Sequence, residues 1–188
     1  MTKTLLLRLL IIAALAWACG LQPATEDSAG EETSSSIAAV RDGALARLST
    51  LEEKIVGLAE AIPEDKYTWR PGEGVRSVSE AFLHVASANY RLPNMIGTPP
   101  PEGMDFTDYD SSTTDKAEVI AALKASFAHY RKASESIAEA DLENAVKVFG
   151  RDSTTAGALI TFNGHLSEHL GQSIAYARSN GVVPPWNQ

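Results

Sequence analysis

Apolar residues recur at three- and four-residue steps through four long stretches of this chain, and that period commits it to helices packed side by side. The first stretch, Ile37 to Ile62, sets Val40, Ala44, Leu48, Leu51, Ile55, Leu58 and Ile62 on one face. Pro63 stops it, and Gly43 weakens its opening turns. The second opens on Ser77-Val78-Ser79-Glu80, the pattern of a capping box, in which a serine hydroxyl and a glutamate carboxylate satisfy each other's backbone amides. It continues to about Arg91, where Pro93 forbids more. The third runs from about Thr114 to Ala140, and the fourth from Ser153 or Thr154 as N-cap to about Asn180. Gly181 then suits the left-handed position past a helix end, with Pro184-Pro185 beyond it.

Between the second and third helices lies a Pro/Gly/Asp-rich passage, Thr98 to Asp110, without strand alternation. A connection of this length either carries function or crosses between distant helix ends. Val146 to Phe149 has the character of a short strand, but nothing else in the sequence offers it a partner. The expected fold is therefore all-α: a four-helix bundle with a long crossover loop, occupying residues 37–188.

The N-terminal part is a different kind of sequence. Lys3 and Arg8 flank a short leader, Leu9 to Ala16 is continuously apolar, and Ala16-Trp17-Ala18 offers small residues where a signal peptidase reads them. Residues 1–18 thus resemble an export signal, too short in its apolar run to span a bilayer, which needs about 20 residues. A retained N-terminal anchor helix is the alternative. The single cysteine, Cys19, falls at the cleavage point and cannot form an internal disulfide. Leu15 to Gly20 resembles a degenerate bacterial lipobox, which would make Cys19 the lipid-anchored N-terminus of a lipoprotein; ordinary cleavage after Ala18 stays open. Residues 19–36, rich in Glu, Ser, Thr, Ala and Gly, read as a flexible tether. The expected location is periplasmic or cell-envelope.

Net charge is −8, and no basic cluster is longer than Arg131-Lys132. Nucleic acid and anionic lipid surfaces both need a cationic face, so neither is an expected partner. Removal of the signal would take away Lys3 and Arg8 and no acid, leaving the mature chain more acidic still. A small-molecule substrate is the expected partner; a homodimer is the assembly considered, although no residue pattern selects it.

The chemistry concentrates in histidines. His165 and His169 are four residues apart on the fourth helix, a step of about 400°, so their rings stack on one face with about 40° between them. One helix gives two nitrogens to a metal at this spacing, although such pairs also arise by chance on surfaces. Gln172 and Tyr176 continue the stripe, and Gln172 is the residue best placed to orient a ligand imidazole or a bound water. His84, set between Phe82-Leu83 and Val85 on the second helix, is either a core imidazole bonded to a carbonyl or a third ligand. Three histidines on two helices suit a catalytic zinc site, which keeps one position open. His129 on the third helix has no partner motif and reads as solvated or at a rim. Glu168 points about 100° away from His169 and reads as a surface carboxylate, while Glu80 is committed to the cap. Tyr67 and Trp69 read as packing over one end of the bundle.

Several of these motifs resemble one family. Tyr67-x-Trp69-Arg70-Pro71, Ser77-Val78-Ser79-Glu80 and Leu83-His84-Val85-Ala86, followed by Asn163-Gly164-His165-x-x-x-His169-Leu170-Gly171-Gln172 and Gly181 to Pro185, are similar in order and spacing to DinB-like metalloenzymes. The resemblance implies a four-helix bundle with a crossover and a three-histidine site for nickel or zinc, with His84, His165 and His169 as the ligands. Leu170 departs from the family, which often has a polar or basic residue there, and this could alter the mouth of the site. The activities that the resemblance implies are thiol-dependent transfer and metal-dependent hydrolysis. Export weakens the first, because cytosolic thiols are scarce outside. The expectation is a metal-dependent hydrolase on a small molecule. The alternatives are a non-enzymatic binder of metal or small ligand, and a structural bundle with buried histidines.

Overall fold

The computed structural model describes residues 26–188, with side chains from Ile37 onward. The signal segment, Cys19 and the first part of the tether lie outside the described residues. The chain divides into two compact units, residues 1–35 and Ser36–Gln188; the core and the histidines belong to the second.

Four helices carry the fold: α1 (Glu26–Ala61), α2 (Val78–Arg91), α3 (Lys116–Glu135) and α4 (Thr155–Ser179). Helix α1 starts well ahead of Ile37, so the backbone is helical from Glu26 through a stretch whose composition reads as a tether. An established helix extends at one hydrogen bond per residue and needs no apolar stripe to do so. Within the second unit the expected stripe is the buried one: Leu48, Leu51, Ile55, Leu58 and Ile62 are all within 1% of full burial. Helix α3 ends at Glu135, short of Ala140. The Ser134 and Ser136 hydroxyls bond back to the carbonyls of Tyr130 (3.0 Å) and Ala133 (2.8 Å), offering the backbone a competitor to further helix.

The start of α2 is held more completely than a capping box alone would hold it. A helix leaves its first amides without internal partners. Here the Val78 amide donates to the Trp69 carbonyl (3.0 Å), Ser79 to the Tyr67 carbonyl (2.9 Å) and Glu80 to Ser77 Oγ (3.3 Å). Glu80 accepts in return from the Ser77 amide at 2.7 Å and is held from outside by Arg70 at 3.0 Å. The Tyr67-x-Trp69 motif is thus a cap. It is anchored in turn by the fully buried Tyr67, whose hydroxyl donates to the Ala59 carbonyl of α1 at 2.7 Å. This construction fixes where α2 begins, and so the direction in which His84 projects two turns later. Nearly all of α2 is buried; Glu80, His84 and Arg91 form its one open stripe.

One expectation about strands is corrected. Ala145–Val148 (β1) does have a partner, Arg151–Thr154 (β2), paired antiparallel with Ala145 opposite Thr154 and Val148 opposite Arg151. The turn between them places Phe149 and Gly150 at φ 51° and 79°, as a two-residue hairpin of type I′ requires. β2 is mostly exposed and has no apolar alternation, so nothing in its sequence advertised it. The hairpin delivers the chain to α4: the Thr155 and Ala156 amides donate to the carbonyls of Asn144 (3.0 Å) and Leu142 (2.9 Å), and Thr154 Oγ1 accepts from Gly157 at 3.1 Å. The small hairpin is an appendage to a helical bundle, and the all-α reading stands.

Asn163 on α4 joins three helices from inside. Its side-chain amide donates to the Ala44 carbonyl of α1 at 2.8 Å, and its oxygen accepts from Tyr130 of α3 at 3.5 Å. Two residues later on the same helix comes His165, so this bridge sets the depth and rotation of α4 beside the site.

Candidate metal centre

α2 supplies His84 and α4 supplies His165 and His169, and the three rings meet edge to face. Their centroids stand 5.7 Å apart (His84 and His165), 4.8 Å (His84 and His169) and 4.5 Å (His165 and His169). One nitrogen from each ring lies within 4.8 Å of the other two. The His84 side chain is 23% exposed, so the cluster borders solvent while its backing is core. Among the described residues this is the group of histidines, cysteines and acids spaced to hold one ion.

The donor set fits a borderline first-row divalent cation, which binds imidazole nitrogen at about 2.0–2.1 Å. Burial favours the neutral, ligating form of His165 and His84. His165 is lowered to about 4, first by burial and then by the neighbouring His169, His84 and Arg76. His84 is also lowered, with burial outweighing the opposing bond to Asp110.

Two of the histidines have partners on their other nitrogen. His84 Nδ1 lies 2.9 Å from Asp110 Oδ2, and the same oxygen accepts from Arg76 at 3.2 Å. Asp110 arrives at the end of the crossover loop, in the short 3₁₀ turn Tyr109–Ser111 that follows a left-handed Asp108 (φ 54°). His169 Nδ1 lies 2.9 Å from Gln172 Oε1; Gln172 Nε2 donates to the Tyr176 hydroxyl at 3.0 Å, and Tyr176 donates to the Arg76 carbonyl at 2.9 Å. Trp69 meets the Tyr176 ring edge-on at 5.4 Å.

The residues singled out from sequence divide cleanly. His84, His165, His169 and Gln172 are brought together. Glu168 is exposed, and Glu80 is occupied by Ser77 and Arg70. Leu170 is buried in the core and does not shape the mouth of the site. His129 lies away from the triad and is not simply solvated: its ring is half-buried against Tyr90 at 5.2 Å, and its Nε2 is buried without a described partner. Asp110 and Arg76 went unnoticed in the sequence. The loop length was the only signal for Asp110, because a carboxylate on an irregular segment has no period from which its direction can be read.

Comparison with solved structures finds the same architecture elsewhere. A DinB-like protein from Bacillus cereus matches with a TM-score of 0.67 at 16% identity, covering 77% of this chain and 95% of that one. A DinB-like protein from Bacillus subtilis matches at 0.60 and 23% identity over 75% and 93% of the two chains. A conserved protein from Enterococcus faecalis matches at 0.59 and 15% identity over 73% and 94%. No curated protein matches the sequence. The sequence model of the DinB superfamily matches residues 47–173, which takes in all three histidines, and the chain belongs to that superfamily.

Proposed function

We propose that this chain is an exported metal-dependent hydrolase acting on a small molecule, with zinc or nickel held by His84, His165 and His169. The observation that carries this reading is the convergence of three imidazoles from two helices, one nitrogen of each within 4.8 Å of the others. Three neutral donors leave a divalent ion its full charge, and a bound ion would supply Lewis acidity toward water or a substrate oxygen or sulfur. The protein's share is to favour neutral His84 and His165 through burial, to keep one side of the cluster open and to back it with core.

Purified mature protein, prepared without a nickel-binding tag, should hold close to one equivalent of zinc or nickel by elemental analysis. His165→Ala should lose it. Retention of metal by that variant, or a metal-free wild type, would overturn the reading.

One observation favours a second reading, a non-enzymatic binder of metal or small ligand. The two carboxylates beside the ligands on their own helices do not serve as a base, since Glu80 is occupied by Ser77 and Arg70 and Glu168 is exposed. Screening zinc- and nickel-loaded protein against ester, amide and thiol-transfer substrates separates hydrolase, transferase and binder. The leader supports action outside the cytoplasm, with Cys19 as a lipid attachment point. Fractionation checks this, since Cys19→Ser should move the protein from the membrane to the soluble fraction.

A further inference from the structure

We infer that Asp110 and Tyr176 are positioning residues that set the tautomers of His84 and His169, so that both rings offer a bare Nε2 to the centre of the cluster. The inference rests on the three-histidine reading of the site and follows from which atoms can donate. A carboxylate accepts only, so the 2.9 Å contact between His84 Nδ1 and Asp110 Oδ2 puts the ring's hydrogen on Nδ1. The second case takes three steps. The Arg76 carbonyl accepts only, so the single hydroxyl hydrogen of Tyr176 goes to it at 2.9 Å. The Tyr176 oxygen must then accept from Gln172, which turns the amide nitrogen toward Tyr176 (3.0 Å) and the amide oxygen toward His169 (2.9 Å). An amide oxygen also accepts only, so His169 likewise carries its hydrogen on Nδ1.

The two relays end on one residue. Arg76 holds Asp110 through its guanidinium (3.2 Å) and Tyr176 through its carbonyl, and it immediately precedes Ser77, the cap of α2. The loop, the start of α2 and the end of α4 are therefore tied to each other at the residue that orients both imidazoles. A wrong tautomer would present an N–H to the centre of the cluster, where a cation needs a lone pair.

Long-range ¹⁵N–¹H NMR on the metal-free full chain reads the tautomers directly. In the wild type, His84 and His169 should both show a protonated Nδ1 and a bare Nε2. Asp110→Ala should turn His84 into a mixture and leave His169 unchanged; Tyr176→Phe should do the reverse. Asp110→Asn should keep His84 as it is, because Arg76 still requires an oxygen at that position. Tyr176→Phe changes little shape, so this variant and the wild-type tautomers decide the matter even if Asp110→Ala unfolds. Zinc affinity by chelator competition should fall roughly 10–100-fold in Asp110→Ala and in Tyr176→Phe.

An unaltered His84 tautomer in Asp110→Ala, or a wild-type His84 protonated on Nε2, would overturn the inference. So would undiminished zinc affinity in both variants. A wild type that binds no zinc would sink the metal reading instead, and the metal-free spectra would still decide the relays.

Discussion

His165 is the histidine whose neutrality the fold enforces most. Its value of about 4 in the folded chain lies below the 6.5 of an unperturbed imidazole, chiefly through burial. Between those two values the unfolded chain takes up a proton that the folded chain refuses, so stability from this residue is present above about pH 6.5 and lost as pH falls through about 4. Of the groups around it, His84 shifts in the same direction, and Arg76 and His169 oppose a charge on His165. Metal-free protein should therefore lose urea resistance between pH 7 and pH 4.5 more steeply than His165→Gln does. Parallel pH profiles for the two proteins would show that burial of this imidazole has no energetic consequence.

At the scale of single elements, each helix that bears ligands begins on carbonyls borrowed from the segment before it. Trp69 and Tyr67 serve α2, and Leu142 and Asn144 serve α4. Satisfying these amides fixes the helix start and hence the azimuth of every residue after it. The hairpin before α4 contains a local strain, Phe149 at φ 51° and 59% exposed; Asp108 is left-handed too, but aspartate tolerates that conformation better. A left-handed conformation costs an L-residue roughly 1–2 kcal/mol, and asparagine tolerates it better. Phe149→Asn should raise stability by about 0.5–1 kcal/mol in denaturant titration, since Asn-Gly is the preferred pair for this turn. A loss of stability would mean that the exposed ring contributes packing that its surroundings do not suggest.

Across the whole molecule, the candidate metal centre would join α2 to α4, elements far apart in sequence. A ligand that binds only the folded form stabilises it by mass action, about 2.7 kcal/mol at a concentration 100 times its Kd. For a domain of this size that corresponds to a rise of roughly 5–10 °C in Tm. Calorimetry should record such a drop when a strong chelator is added, and none in His84→Ala. An unchanged Tm on complete metal removal would argue that the fold holds the histidines together without help.

The sequence alone determined the helices and the His165/His169 pair, because both are written in periods, whereas His84 joined them through the family resemblance. The stripe from Leu48 to Ile62, the capping box at Ser77 and the four-residue step from His165 to His169 are local facts that geometry converts into direction. Gln172 was visible for the same reason, one helical stripe along. Periodicity is silent where the chain is irregular or where a partner comes from elsewhere. Only the tertiary structure paired β1 with the featureless β2, turned Leu170 inward and set His129 against Tyr90. It alone brought Asp110 across from the loop to His84 and made Arg76 the anchor of both relays. Those contacts depend on where distant segments end up after the core has packed, and no local pattern encodes that.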